Sequence, residues 1–191
     1  MPGHPNPILL NLPDQIETER LVMRAPRPGD APPIHAAIQE SLANLQPWMP
    51  WASADETVDD LEAHLRMMTA RFLKREDLPL MLWRKQDGLY VGGSGLHRMD
   101  WSVPGFEIGY WVRASLEGQG YVTEAVNGIA KFAFNVLAAE RLEIRCDARN
   151  VRSAAVARRA GYTLEGTLRH DSRGTNGELR DTFVFSKIRG E

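Results

Sequence analysis

The chain has 191 residues, of which 43% are hydrophobic and 25% are charged. These proportions are typical of a folded globular domain and argue against intrinsic disorder. The net charge of -2 lacks the basic excess of a nucleic-acid-binding protein. We therefore expect one domain over residues 1–191 and no nucleic-acid partner.

The N-terminal segment and the cysteine content bear on the cellular compartment. The Pro-rich start lacks the basic and apolar regions of a secretory signal, so residues 1–14 are predicted to be a poorly ordered leader. No apolar stretch approaches the roughly 18 residues of a membrane span. The single cysteine, Cys146, excludes an intramolecular disulfide, and its apolar position in an alternating run favours a buried structural thiol. We expect a cytoplasmic protein that binds no membrane.

The first half of the chain predicts a strand, two helices and a hairpin. Asp30, followed by two prolines, is predicted to cap the first helix. Residues 53–56 (Ser-Ala-Asp-Glu) resemble a capping box and are predicted to open the second helix. The predicted ranges are residues 19–24 for the strand, 28–39 for the first helix, and 80–85 and 90–97 for the hairpin strands.

The second half of the chain alternates strands and helices, so the whole chain has the pattern of an α/β fold of the α+β type. It predicts a mixed, mostly antiparallel twisted sheet flanked by helices, with one strand–helix–strand crossover. Asn150 is predicted to cap the last helix, which Gly161 ends. The predicted ranges are strands over residues 106–113, 142–148, 162–171 and 179–188, and a helix over residues 121–137.

A glycine-bearing turn links the strand predicted over residues 106–113 to the helix that follows it. Gly118 and Gly120 lack a Cβ atom, so backbone N–H groups at the helix start can approach an anion such as a pyrophosphate. A turn that merely starts a helix is the alternative for so short a motif. A P-loop is excluded because no Gly-Lys-Ser/Thr follows, and the dinucleotide fingerprint lacks its third glycine, which is Thr123 here.

Six short segments, spread over nearly the whole chain, carry a resemblance to a known superfamily. They are residues 17–21 (Glu-Thr-Glu-Arg-Leu), 48–51 (Trp-Met-Pro-Trp), 107–112 (Glu-Ile-Gly-Tyr-Trp-Val), 118–125 (Gly-Gln-Gly-Tyr-Val-Thr-Glu-Ala), 150–153 (Asn-Val-Arg-Ser) and 161–162 (Gly-Tyr). In this order and spacing they resemble the GNAT acetyltransferase superfamily, and more closely its RimJ/RimL-like branch. The chain departs from the pattern at Ser115, where the loop motif usually begins with Gln or Arg, and at Ala157, where many members carry a general-acid Tyr.

The resemblance implies the reaction and the cosubstrate. A splayed central strand pair would hold the pantetheine arm of acetyl-CoA, with a backbone N–H near Val112 facing the thioester oxygen. The acetyl group would pass by direct attack to a primary amine, in this branch a protein α-amino group, and a homodimer is implied as well. No metal is expected, because no His, Cys or carboxylate residues have a metal-binding spacing. The residues expected to bind acetyl-CoA are Trp111, Val112, Arg113, Gly118, Gln119, Gly120, Tyr121, Val122, Thr123, Asn150 and Arg158.

Two residues are candidate catalytic groups, because acetyl transfer must deprotonate the amine and protonate the leaving thiolate. Glu107 is the candidate base, since a carboxylate near an apolar sheet can have a raised pKa. A salt-bridged Glu107, with water as the base, is the equal alternative. Ser153 is the candidate acid, and the alternative is that it only helps to cap its helix. The weaker candidates are Tyr121 as the acid and His97 and His170 as bases.

Three other functions stay open from the sequence alone. The acceptor can be a small-molecule amine such as an amino acid, a polyamine or an antibiotic. Ala157 is the best support for a non-catalytic acyl-CoA-binding module, and the presence of Glu107, Asn150 and Ser153 argues against it. A dinucleotide-dependent enzyme is disfavoured by Thr123 and by the preceding hairpin. Residues 48–51 and Trp101 are candidates for the walls of an acceptor groove, because aromatic loop residues often bind ligands.

Overall fold

Eight strands and four helices form the part of the chain that the computed structural model describes, residues 6–191. The strands are β1 (Ile16–Glu17), β2 (Leu21–Arg24), β3 (Leu78–Arg84), β4 (Tyr90–Asp100), β5 (Gly105–Val112), β6 (Arg141–Asp147), β7 (Thr163–Arg173) and β8 (Leu179–Ile188). The helices are α1 (Ala31–Leu45), α2 (Val58–Lys74), α3 (Tyr121–Asn135) and α4 (Val151–Arg159). All eight strands belong to one sheet in the order β1-β2-β3-β4-β5-β6-β8-β7.

The sheet is antiparallel between every pair of described neighbours except β5 and β6, which are parallel and joined by the crossover helix α3. This confirms the predicted mixed α/β fold. The predicted strands and the helix α3 are confirmed to within a few residues at each end, whereas the two-residue strand β1 was not predicted. Such a short strand has too few residues to show an alternating pattern.

Two apolar clusters lie on opposite faces of the sheet. The larger cluster lies between the sheet and α3 and includes Phe106, Ile129 and Phe185. The smaller cluster lies under α1 and α2 and includes Ile34 and Leu61. Because successive side chains of a strand point to opposite faces, the strands β3, β4 and β5 contribute to both clusters. The core therefore fixes which side chains of β4 and β5 point to which face.

The start of α2 differs from the prediction, because the capping box is not at residues 53–56. Thr57 and Asp60 form it instead: Asp60 N donates to Thr57 Oγ1 (3.1 Å), and Thr57 N donates to Asp60 Oδ2 (3.2 Å). An aspartate at the third helical position is shorter than the Glu or Gln that the motif usually has, which is why the pattern was missed.

The first helix also differs from its prediction. It runs to Leu45, past the predicted end at residue 39, because apolar residues continue at helical spacing. Asp30 occupies the N-cap position, but its carboxylate accepts hydrogen bonds from Arg24 (2.7 and 2.9 Å) rather than from the helix. The predicted cap is therefore an ion pair that ties β2 to the start of α1.

The predicted leader, residues 1–14, lies partly outside the described residues. Within the described part, Pro7–Leu9 form a short 3-10 helix, and Arg75 Nη2 donates to the carbonyl of Leu10 (2.8 Å). Leu12 packs against the larger core cluster. None of the helices within residues 6–191 combines the length and apolar character that a membrane span requires.

Candidate active site

The parallel strands β5 and β6 separate from each other soon after they begin. In the described chain their register pairs end at Glu107 and Glu143. Arg113 N donates to Val91 O of β4 (2.8 Å), and antiparallel ladders alternate, so the backbone groups of Tyr110 and Val112 point away from β4, toward β6. The far half of β5 therefore offers unpaired backbone groups to a gap between two strands. This is the predicted splay.

The turn at the mouth of the gap leaves a helix start without a cap. Gly118 and Gly120 have φ values of +72° and +82°, a region that L side chains rarely adopt. The first hydrogen bond of α3 runs from Glu124 N to Gly120 O (3.0 Å), and no side chain among the described residues caps this helix. The N–H groups of residues 121–123 thus point out of the helix start, where an anion can bind them.

Side chains on both flanks hold this turn in place. Arg20 donates to Gln119 O (3.0 Å), forms an ion pair with Glu124 (2.6 Å), and stacks over the Tyr121 ring at 4.4 Å. On the other flank, Arg152 of α4 donates to Glu117 (2.7 Å). Two charged anchors therefore fix the turn before any ligand arrives, which lowers the ordering cost of binding.

Glu107 lies at the point where the strands separate, on the same face as α1 and α2. Its side chain is 20% exposed, and its Oε2 atom finds no hydrogen-bond partner within residues 6–191. Burial raises the pKa of the Glu107 carboxyl, although the charges of Arg98 and Arg145 act in the opposite direction. A partly buried carboxylate whose pKa is raised binds a proton more readily, which suits the role of a general base. The role of Glu107 stays a prediction.

Ser153 lies on the opposite side of the gap, at the start of α4. Its backbone N donates to Asn150 Oδ1 (3.0 Å), so Asn150 caps α4 as predicted. The Tyr110 hydroxyl donates to Ser153 O (3.0 Å) and lies 3.1 Å from Ser153 Oγ. Sequence reasoning missed Tyr110 because it occupies an apolar phase of its strand. Burial raises the pKa of its phenol, so the group keeps its proton and can donate it as a hydrogen bond.

Two arginines of the predicted cosubstrate site are engaged elsewhere. Arg113 forms an ion pair with Glu40 of α1 (2.6 Å). Arg158, in the last turn of α4, lies over the Phe185 ring at 5.4 Å. Val122 and Thr123 lie in the first turn of α3 as predicted. The glycine turn and the strand edges, rather than these two arginines, therefore carry the geometry of the site.

One of the predicted aromatic walls lies beside the gap. Trp51 is 46% exposed, and its ring centroid is 5.9 Å from that of Trp111 on β5. Trp101 instead donates to Arg75 O (3.2 Å) and packs on Phe106 in the larger core. Trp51 and Trp111 therefore form an aromatic surface next to the gap, and Trp101 belongs to another part of the molecule.

Two further residues of the sequence analysis, His170 and Cys146, lie on β7 and β6. His170 is exposed on β7, the edge strand of the sheet. Cys146 on β6 is partly buried rather than fully buried, and burial raises the pKa of its thiol, which makes it a poor nucleophile. Within the described part of the chain, no group of three His, Cys, Asp or Glu residues could hold a metal ion.

Comparison with known proteins identifies the family of this chain. Residues 20–163 match the family described as acetyltransferase (GNAT) domain. The "Putative ribosomal N-acetyltransferase YdaF" of Bacillus subtilis (strain 168) is 27% identical over 186 residues, which cover 91% of this chain and 93% of that protein. The ribosomal-protein-serine acetyltransferase of Escherichia coli (strain K12) is 25% identical over 175 residues, with 90% and 94% covered.

A solved structure has the same fold. The microcin C7 self-immunity acetyltransferase MccE, crystallised with acetyl-CoA and AMP, superposes with a TM-score of 0.84 at 24% identity, covering 90% of this chain and 93% of that one. The uncapped glycine turn and the unpaired strand edges fit a pyrophosphate and a pantetheine arm, so the residues present suit coenzyme A. With a family match over more than half of its length, the chain belongs to the GNAT acetyltransferase family and is an acetyl-CoA-dependent N-acetyltransferase.

Proposed function

We propose that this enzyme acetylates the α-amino group of a protein N-terminus by direct attack in a ternary complex. The observation that carries the proposal is an open sheet face beside Glu107, which we call the open face. It bears the charged side chains of Glu107, Glu143 and Arg145. Arg145 also forms an ion pair with Asp171 of β7, and Glu143 forms one with Arg141 of β6. No described helix covers it, since α1 and α2 contact β4 and β3, and α4 lies on the opposite side with Tyr110. A chain end can lie across such a face, whereas small ligands usually occupy enclosed pockets.

The names of two relatives support the same acceptor. YdaF and the Escherichia coli enzyme are both named for ribosomal proteins, and the second is named for a serine. Both align with this chain over nearly its full length. The proposal includes a single acetyltransferase domain over residues 1–191 and a cytoplasmic location, where ribosomal proteins are made.

In the proposed mechanism, acetyl-CoA supplies an activated acyl thioester. The N–H groups of residues 121–123 bind its pyrophosphate, and the free backbone of Tyr110 and Val112 pairs with its pantetheine arm. A backbone N–H of β5 polarises the thioester carbonyl. Glu107 accepts a proton from the amine on one side of the sheet, and Ser153 donates a hydrogen bond to the sulfur on the other. The two groups therefore act from opposite sides of the gap.

A second candidate function is the acetylation of a small-molecule amine. The exposed Trp51 ring and the nearby Trp111 ring favour it, because they offer an aromatic surface on which a planar ligand can stack. The loss of the usual Tyr at Ala157 supports a third candidate, a non-catalytic acyl-CoA-binding module. The Tyr110–Ser153 pair argues against it, because a hydroxyl cluster still lies beside the gap.

A homodimer stays part of the proposal. The edge strand β7 has ten of its eleven residues exposed, including Leu164 and Leu168 at 41% each. A long exposed edge strand with apolar residues is unusual in a monomer, because it offers unpaired backbone groups to another chain. Sedimentation equilibrium tests this point: a monomer mass at micromolar concentration would refute the dimer.

The experiment that tests the acceptor is thiol release from acetyl-CoA with matched acceptors. One peptide carries a free N-terminal serine, and its control is the same peptide with a blocked N-terminus. A panel of small amines forms the second arm. We expect release with the free peptide and none with the blocked one. Turnover of small amines alone would refute the protein acceptor, and binding of acetyl-CoA without turnover of any amine would favour the binding module.

A further inference from the structure

His97 on β4 is held in one orientation by a carboxylate. Its Nδ1 atom lies 2.7 Å from Oδ1 of Asp77, the residue just before β3. A carboxylate accepts a hydrogen bond, so Nδ1 carries the proton and Nε2 is left with its lone pair. Sequence reasoning named His97 as a weak candidate base but missed Asp77, because the two residues are 20 positions apart. The imidazole is thus prepared to accept a proton at Nε2.

The ring of His97 lies across the backbone of two neighbouring strands. A Cβ atom added at Gly109 of β5 would lie 3.1 Å from Cδ2 and 3.3 Å from Nε2 of the imidazole. A Cβ atom at Gly95 of β4 would lie 3.1 Å from Cε1. The ring therefore packs closely against the backbone of both glycines, where a side chain would press on it. The Nε2 edge is consequently placed over β5, the strand that borders the gap.

Glu107 is the cross-strand partner of His97 and points to the same face. The two residues are in register between β4 and β5, where side chains of such pairs stand next to each other. The other charged groups here are Arg98, 3.3 Å from Glu107 Oε2, and Arg145, 4.0 Å from the same atom. Glu143 faces Glu107 from β6. His97 is the more exposed of the pair, at 34% against 20% for Glu107.

We propose that Asp77, His97 and Glu107 form a proton relay that returns Glu107 to its charged form after each turnover. This rests on the proposed role of Glu107 as the base. The ammonium group of the acceptor loses one proton to the Glu107 carboxylate, and that proton passes to His97 Nε2 and then to solvent. When the C–N bond forms and the C–S bond breaks, a second proton of the nitrogen ends on the sulfur and gives the thiol of coenzyme A. Each turnover therefore releases one proton to solvent. Asp77 is a positioning residue.

The relay is tested by chemical rescue. His97→Ala is expected to lower kcat about tenfold or more, because a general acid–base group is lost, with an unchanged Kd for acetyl-CoA. Added imidazole is expected to restore much of the lost rate. The matched control is His64→Ala, at an exposed position of α2. This variant should keep the wild-type kcat, and added imidazole should not change its rate. A rate loss that imidazole does not restore, or equal rates in the two variants, would overturn the relay.

The pH profile separates the relay from a structural role. In the wild-type enzyme, kcat should fall on the acid side of the pH profile, because Glu107 and His97 must both be unprotonated before the relay can take up a proton. His97→Gln should change the position or steepness of this limb, and Asp77→Asn should change it less, because Glu107 must still be unprotonated in both variants. His97→Gln combined with Glu107→Gln should be little worse than the worse single variant, since members of one relay are not additive. An unchanged limb in His97→Gln refutes the relay.

Two features keep the test independent of the acceptor class. The assays use both the serine peptide and whichever small amine the wild-type enzyme turns over, so failure of the protein acceptor alone leaves the relay testable. Nitrogen NMR of the ligand-free protein reads the tautomer of His97 without any turnover. We expect the proton on Nδ1 in the wild type. In Asp77→Asn, we expect the preference of the proton for Nδ1 over Nε2 to be lost. A proton on Nε2 in the wild type would contradict the proposal.

Discussion

The N-termini of α2 and α3 meet the same physical problem in different ways. Every helix start leaves backbone N–H groups without an intrahelical acceptor. At α2 the side chains of Thr57 and Asp60 supply the missing hydrogen bonds. At α3 the capping position is Gly120, and no described side chain replaces the missing acceptor. The start of α2 is therefore satisfied from within the fold, whereas the start of α3 leaves backbone N–H groups available to a ligand.

The start of α4 lies between these two cases. Asn150 caps it through Oδ1, yet the resemblance to the family also assigns Asn150 to the pantetheine arm. A cap with an amide can serve both purposes, because its oxygen accepts from the helix while its nitrogen can donate to a ligand. The three helix starts therefore form a series from structural to ligand-binding, which substitutions can test.

The largest effect is expected from Gly120→Val. The position has a φ of +82°, which a β-branched residue adopts only with strain, and the new side chain would crowd the anion site. We expect acetyl-CoA to bind about 100-fold more weakly by calorimetry, which corresponds to about 2.7 kcal/mol. Gly177→Val is the control, since its φ of +81° gives the same backbone strain in the turn between β7 and β8. Equal affinity losses in both variants would contradict the assignment of the turn.

The next effect separates the two roles of Asn150. Asn150→Ala removes the cap and the amide donor, so we expect a loss of about 1 kcal/mol in unfolding free energy and roughly tenfold weaker acetyl-CoA binding. Asn150→Ser keeps a capping oxygen but has no amide nitrogen. It should keep the stability and lose the affinity. Wild-type affinity in Asn150→Ser would show that the residue is only a cap.

A smaller effect is expected at the structural end of the series. Thr57→Ala should lower the unfolding free energy by about 1 kcal/mol in urea denaturation, because it breaks the capping box of α2. The affinity for acetyl-CoA should stay at the wild-type value. Thr57→Ser is the matched control and should retain most of the stability. A change in affinity in Thr57→Ala would remove the distinction between the two helix starts.

The smallest effect concerns a side chain rather than a helix end. Burial raises the pKa of Glu107 in the folded state, so its contribution to stability is present at low pH and is lost as the pH rises through the raised pKa. Glu107→Gln cannot ionise. We therefore expect the stability of the variant relative to wild type to be greater at pH 7.5 than at pH 4, measured by urea denaturation. If the difference in stability between the variant and the wild type does not change with pH, the charged form of Glu107 does not destabilise the folded state.

Most strands and helix ends follow local sequence rules and were predicted from them. Strand β8 was predicted with its observed ends, and Asn150 was predicted as a cap because it precedes an apolar helix pattern. The splay of β5 from β6 came from the family resemblance, since periodicity reports which face a residue lies on and not how two strands diverge. The Asp77–His97 contact was missed because it depends on the register of β3 and β4. The Arg113–Glu40 ion pair was missed for the same kind of reason, because Glu40 lies 73 positions earlier, in α1.

The gap between β5 and β6 has a thermodynamic consequence. In the described chain, three register pairs join the strands β1–β5 to the strands β6–β8. A pantetheine arm paired with both edges would complete the sheet as an inserted strand does, so its binding would raise the unfolding free energy by RT ln(1 + L/Kd), where L is the concentration of free cosubstrate. The melting temperature of the enzyme should then rise with the concentration of coenzyme A. Its resistance to proteolysis in the cell would follow the supply of the cosubstrate, so that the same gap that admits the reactant also links the lifetime of the protein to metabolism.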